Sequence, residues 1–173
     1  EIPAVIEKLG HMAAQAAMVE GLVYGMESGG GKYNGYYVPD RNLMYTAQVL
    51  TQQLYPEFIT SMRELAGGGL IMLPSSAENF ANPELNKYIK ATQKSAIGTS
   101  EEKVKFMKLA WDAIGSEFAS RHTQYEMFYA GAQFVTRGHS FRTYDWNRSE
   151  QLLDSVLDSY SLSDVIKKGK NLP

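Results

Sequence analysis

The stretch "SEEKVKFMKLAWDAIGSEFASRHTQYEMFYA", Ser100 to Ala130, decides the fold. Ser100 with Glu101 and Glu102 makes a capped, acid-first helix start, which satisfies free amides and complements the helix dipole. Val104, Met107, Trp111, Ile114, Phe118, Tyr125 and Phe128 then recur three or four residues apart, as one apolar stripe does on a helix. The spacing predicts a single rod to about Ala130, ~45 Å long at 1.5 Å per residue. Its one interruption is the pair Arg121 and His122, where the stripe calls for an apolar residue; Glu117 and Glu126 lie four residues away on either side, so ion pairs along the helix are available. That pair is read either as structural or as facing a ligand.

The same period extends outward. A first helix is expected from about Ala4 to Glu27, with Pro3 in its first turn and "SGGG" at its end. Its expected face is Val5, Leu9, Met12, Ala16, Val19, Val23 and Met26. "GGGKYNGYYVPD" reads as a loop with turn chemistry at Asn34-Gly35. A second helix is expected from Arg41 to Ala66 with a stripe of Leu43, Ala47, Leu50, Leu54, Phe58, Met62 and Leu65, kinked near Gln52 by Pro56. Gly67-Gly68-Gly69 ends it, and "LIMLPSSAENFANPE" crosses to a short helix near Pro83 to Thr92. A final short helix is expected from Ser149 to Tyr160, followed by a tail. No alternation long enough for a sheet occurs, so the expected fold is all-α, a helical bundle.

Composition narrows the function. The chain has 173 residues and 44% apolar content, enough for one domain with a core. A net charge of -2 gives no electrostatic reason to expect nucleic acid or an anionic membrane as partner. The absence of cysteine excludes thiolate catalysis and cysteine-ligated metal within the chain, and fits a reducing, cytoplasmic setting. His11, His122 and His139 are dispersed without ligand spacing, so no metal site is expected. The opening "EIPAVIEKLG" already reads as a helix start, so the chain is expected to be part of a longer protein.

One further segment holds chemistry. "FYAGAQFVTRGHSFRTYDW", Phe128 to Trp146, reads as irregular and combines two glycines, Arg137, His139 and Arg142 with a series of aromatics. Turn amides can hold phosphate and aromatic rings can face a flat heterocycle. The alternative reading is that these aromatics close one end of the bundle.

Two blocks carry a resemblance: "ELAGGGLIMLPSSAENFANPEL" and "EEKVKFMKLAWDAIGSEFASRHTQYEMFYAGA". With the "GSEFASRHTQYEMFYAGAQFVTRGHS" run they resemble the C-terminal region of the 4-hydroxyphenylacetate 3-hydroxylase family, the oxygenase components of two-component, reduced-flavin-dependent aromatic monooxygenases. The branch acting on phenols, chlorophenols and 4-hydroxyphenylacetate is the most similar. The resemblance implies a four-helix bundle similar to the acyl-CoA dehydrogenase C-terminal domain, serving as the core of a homotetramer. It divides the chain into a bundle, residues 1–148, with a flavin-facing loop near 131–139, and a short helix and tail, 149–173. The family's N-terminal helical and β-barrel domains, which hold the phenol, match nothing here.

By the same resemblance the intact protein hydroxylates a phenol. FADH2 from a separate flavin reductase meets O2, a flavin C4a-hydroperoxide forms, and oxygen passes to the ring. The segment after the long helix, Ala132, Gln133, Phe134 and Val135, is the implied FAD contact, with Phe134 nearest the flavin; relatives often carry Asp-Pro where this chain has Ala132-Gln133. Arg121, Arg137 and His139 are secondary candidates for the cofactor's phosphates. No residue of this chain is implied as catalytic, and the chain alone is expected to be inactive. The glycine-ended crossing at Gly67 is expected to bury its apolar run against the cofactor or a neighbouring subunit, or to be purely structural. The alternatives are an assembly bundle without a site and a piece of a 4-hydroxybutyryl-CoA dehydratase-like enzyme.

Overall fold

The computed structural model describes residues 2–159, 161–163 and 166. The order is α1 (Pro3–Ser28), a hairpin of β1 (Gly31–Tyr33) and β2 (Tyr36–Val38), α2 (Arg41–Ala66), α3 (Pro83–Thr92), α4 (Ser100–Ile114), α5 (Glu117–Phe128), α6 (Gln133–Thr143) and α7 (Trp146–Leu157). The all-α class holds. The loop expected at 31–38 contains a small antiparallel hairpin instead, with Tyr33 opposite Tyr36. Asn34 and Gly35 take φ of 48° and 84°, the pair of positive values that lets a two-residue turn match strand twist.

α2 is the centre of the molecule, and α1, α4, α5 and α6 all pack on it. Asp40 caps it by accepting the Leu43 amide at 2.8 Å, and the helix runs on through Pro56, which denies the Gln52 carbonyl its intrahelical donor. Its buried residues are Gln52, Ile59 and Ser61, all off the expected stripe. A helix covered on several sides has no single apolar face, so a one-stripe reading misplaces its core. On α1 the covered positions are Val5, Lys8, Met12, Gln15, Val19, Leu22 and Met26, while Leu9, Ala16 and Val23 are exposed. The helix is turned so that Lys8 pairs with Glu64 and Gln15 Nε2 donates to Glu57 at 3.1 Å.

The predicted 100–130 rod is two helices. The break falls at Gly115-Ser116, where the Ser116 hydroxyl starts α5 by accepting the Ala119 amide at 3.1 Å. Arg63 of α2 stabilises the break: its Nε and Nη2 donate to the Ile114 carbonyl at 3.0 and 2.6 Å. The phase of the stripe shifts across the break, so Ala119 is buried and Phe118 is exposed. Ile59, Leu70 and Ile114 form the compact core, flanked by Tyr55, Met62, Met107 and Ala110.

At its start, α4 has a capping box. The Thr99 hydroxyl accepts the Glu102 amide at 3.2 Å and the Glu102 carboxylate accepts the Thr99 amide at 2.8 Å. Thr99→Ala is expected to lower stability by about 1 kcal/mol in urea unfolding. An unchanged midpoint would mean that packing alone holds the helix start.

The crossing after α2 resolves into two 3-10 turns, Gly67–Leu70 and Ala77–Phe80. Gly67 turns the chain with φ 55° and ψ -150°, a conformation open essentially to glycine. Within this chain Leu70 of the apolar run is buried and Leu73 half-buried, while Ile71 and Met72 are exposed. Gln93 Nε2 donates to the Met72 carbonyl at 2.6 Å and Lys108 Nζ to the Ser75 carbonyl at 3.1 Å, tying the crossing to the end of α3 and to α4. Within this chain the crossing therefore serves packing. It leaves α2 roughly 20 Å along the helix beyond Gln52, at 1.5 Å per residue.

α7 begins three residues earlier than expected. Asp145 accepts the Arg148 amide at 3.1 Å and Trp146 Nε1 donates to the Phe141 carbonyl at 2.8 Å. None of α7 is buried, and Leu152, Leu153, Val156 and Leu157 are exposed. Tyr160 and most of the expected tail lie outside the described residues. The chain exposes 13145 Å², whereas a free-standing 19.3 kDa monomer exposes ~8,500 Å². Apolar side chains such as Phe106, Leu109, Phe118 and Phe134 contribute to that surface.

Candidate functional site

The segment from Tyr129 to Val135 is the turn between α5 and α6. The irregular stretch expected from 128 to 146 is largely helical, and the loop expected near 131–139 is the first turns of α6. Gly131 makes the turn possible with φ 115°, a value that side chains strain against. Ala132 then enters α6 extended, at ψ 146°, and its carbonyl accepts the Val135 and Thr136 amides at 2.9 and 3.2 Å. No side chain caps this helix start, and the Gln133 and Phe134 amides have no acceptor among the described residues. Beside these free donors the Phe134 ring is 80% exposed.

Of the four residues singled out from the sequence, Ala132 and Gln133 are half-buried, and Phe134 and Val135 face outward. The Gln133 Oε1 accepts Arg137 Nη2 at 3.2 Å, so Arg137 is turned back along its own helix. His139 stacks on Tyr45 of α2 with ring centroids 4.8 Å apart, and Arg142 Nη2 lies 3.0 Å from its Nδ1. His139 is thus packed against α2. Arg121 and His122 lie on α5 in a shallow concavity with Phe118 and Tyr125. His122 Nε2 is 3.3 Å from Glu126, while Arg121 makes no ion pair among the described residues. The secondary phosphate candidates are therefore dispersed over two helices, and nothing gathers them at one point.

Behind the turn lies a feature that periodicity did not point to. Gln52 of α2 and Thr136 of α6 are 1% and 0% exposed, the largest fully buried side chains among the described residues. Gln52 Nε2 donates to the Met127 carbonyl at 3.0 Å and the Gly131 carbonyl at 2.8 Å, and the Thr136 hydroxyl donates to Gln52 Oε1 at 2.8 Å. In the sequence Gln52 is one of three consecutive polar residues, Thr51-Gln52-Gln53, one turn before Pro56, and nothing local sets it apart.

A second concavity of about 360 Å³ lies between α1, α2 and α5, lined by Val19, Leu54, Phe58, Gln15, Tyr55 and Tyr129. Gln15 Oε1 is buried there without a partner, and burial together with the nearby Glu126 carboxylate raises the Tyr55 phenol pKa. Among the described residues no cluster of ligating side chains could hold a metal, and no helix is long and apolar enough to cross a membrane.

The fold is shared with solved enzymes. The chain aligns with the crystal structure of the oxygenase component of 4-hydroxyphenylacetate 3-monooxygenase complexed with FAD and 4-hydroxyphenylacetate at a TM-score of 0.85 and 24% identity, covering 91% of this chain and 33% of that one. It also aligns with an oxygen-tolerant archaeal 4-hydroxybutyryl-CoA dehydratase from N. maritimus, TM-score 0.80 at 18% identity, over 93% of this chain and 32% of that one. At these identities the likeness is one of fold. The sequence profile of the 4-hydroxyphenylacetate 3-hydroxylase C-terminal family (HpaB) matches residues 1–158, and the chain belongs to that family.

Among curated proteins, the 4-hydroxyphenylacetate 3-monooxygenase oxygenase component of Escherichia coli is 33% identical over 141 residues, 81% of this chain and 27% of that protein. The Pseudomonas aeruginosa protein of the same name is 38% identical over 111 residues, 64% of this chain and 21% of its own length. A 4-nitrophenol 2-monooxygenase oxygenase component from Rhodococcus is 31% identical over 112 residues, 64% of this chain and 22% of that protein. The chain thus spans about a quarter of the length of these relatives.

The residues at the α6 start fit a flavin edge. An exposed aromatic ring can lie against a flat heterocycle, and two free amides at the positive end of a helix can donate to carbonyl or phosphate oxygens.

Proposed function

We propose that the intact protein is the oxygenase component of a reduced-flavin-dependent phenol monooxygenase, and that this chain supplies one wall of its FAD site and much of its subunit contact. The match of residues 1–158 to the family carries this reading. Bound FADH2 supplies the electrons that activate O2 for insertion into the phenol ring. In this reading a separate reductase provides the FADH2, in keeping with the name "oxygenase component" that the relatives carry.

The chain's own residues bind and shield. Phe134 covers the flavin and keeps water from it, which suppresses wasteful side reactions. The Gln133 and Phe134 amides donate to flavin oxygens, Val135 adds apolar contact, and Ala132 keeps the approach open. The uncovered apolar surface of α4, α5 and α7 supports burial against the protein's other domains and further copies, in a tetramer. A reducing, cytoplasmic setting agrees with the absence of cysteine. The isolated chain is expected to catalyse nothing, because it spans about a quarter of the length of its relatives.

The experiment is Phe134→Ala in the intact protein. FAD affinity, read by flavin fluorescence titration, is expected to fall roughly ten-fold, as loss of an aromatic contact of ~1–2 kcal/mol requires. The melting temperature should stay constant, because the ring is exposed in the bundle. Unchanged FAD affinity would remove the flavin wall from this segment and leave an assembly role.

A further inference from the structure

We propose that Gln52 and Thr136 are positioning residues for the cofactor edge: one buried side chain of α2 grips the chain on both sides of residues 132–135 and sets where Phe134 and the free amides stand. The proposal rests on the reading that this segment faces FAD.

The argument begins with burial. Both side chains are polar and essentially without exposure, positions that an apolar pair of the same shape would fill without desolvation cost. Each polar atom of Gln52 is used. Its two amide hydrogens go to carbonyls, of Met127 and Gly131, and its oxygen takes the Thr136 hydroxyl, so the amide has one allowed orientation. The three contacts bracket the segment. Met127 is in the last turn of α5, Gly131 is the hinge with φ 115°, and Thr136 is in the first turn of α6. The Thr136 hydroxyl also lies 3.1 Å from the Gln133 carbonyl, within the segment itself.

Consequently the turn cannot rotate about Gly131 without breaking a buried hydrogen bond. A rotation there would move the Phe134 ring and both free amides together. General packing does not require this arrangement: α6 also has His139 stacked on Tyr45, which holds its middle but leaves its first turn free to pivot. Neither Gln52 nor Thr136 touches the cofactor in this arrangement; they act through the backbone of the turn.

The test uses the intact protein, with FAD affinity and the visible absorption spectrum of bound FAD as readouts. Thr136→Val and Gln52→Met are each expected to weaken FAD binding by roughly ten-fold and to alter the bound-flavin spectrum, with Thr136→Ser restoring both. Arg63→Met is the control, because it removes a similar side-chain grip on a backbone carbonyl at the α4–α5 break. It is expected to lower stability and leave FAD affinity unchanged.

If Arg63→Met weakens FAD binding as much, the effect is general destabilisation and the proposal fails. If Phe134→Ala weakens binding while Thr136→Val does not, positioning fails and the flavin wall stands. If neither changes it, the flavin wall itself is overturned and the proposal with it. Should Gln52→Met fail to fold, the Thr136 pair of variants decides alone.

Discussion

Gln52→Leu is expected to lower the unfolding free energy of the isolated chain by about 3–5 kcal/mol, the largest effect of any single change considered. Leucine is close enough in size to fill the space, so cavity formation contributes little. The loss comes from what the amide leaves behind: the Met127 and Gly131 carbonyls lose their side-chain donor, while the Thr136 hydroxyl keeps only the Gln133 carbonyl at 3.1 Å. Each buried polar group without a partner costs about 1–3 kcal/mol. Urea unfolding measures the change, with circular dichroism confirming that the variant remains helical before the transition. A loss below about 1 kcal/mol would mean that water reaches the abandoned carbonyls and that the grip is weaker than its geometry.

Ile114→Ala is expected to cost about 3–4 kcal/mol, within the range of buried aliphatic truncations. Ile114 is 2% exposed and packs with Ile59 and Leu70 where α2, α4 and the crossing meet. Its carbonyl is also the one that Arg63 holds, so a cavity there loosens the break between α4 and α5. The comparison is Phe106→Ala, on the same helix but 67% exposed, which should change the isolated chain by less than about 0.5 kcal/mol. Equal losses from the two would show that Phe106 is covered in solution by another copy. Dilution series of the unfolding midpoint would reveal that contact.

The bundle was legible because its signals are local. Asp40 sits before α2 and accepts a first-turn amide, in keeping with the start expected at Arg41, whereas the capped start read at Ser100 is made one residue earlier, by Thr99. The family could be read from the same blocks of residues. What failed depends on contacts between distant residues. Periodicity treats Gly115-Ser116 as tolerable inside a helix; the Ser116 cap and the grip of Arg63, far away on α2, together hold the interruption. The stripe on α2 was misjudged for the same reason, since a helix packed on several sides buries residues all round it. Ala132 to Val135 could be singled out only through family resemblance. Gln52, the residue that anchors their turn, sits in the polar run Thr51-Gln52-Gln53 and has no local signature.

The sequence distance across that anchor also constrains how the protein is made. Gln52 and Thr136 are separated by 84 residues. At ~5–20 residues per second of synthesis, α2 emerges roughly 4–17 s before its partner exists. Throughout that interval the Gln52 amide has only water to bind, while α1 and α2 can already pair. The turn that carries Phe134 can therefore dock only after α1 and α2 have been made, once a long loop has closed. Substitutions that slow this docking would lower the yield of cofactor-competent protein without altering the native structure of the molecules that succeed.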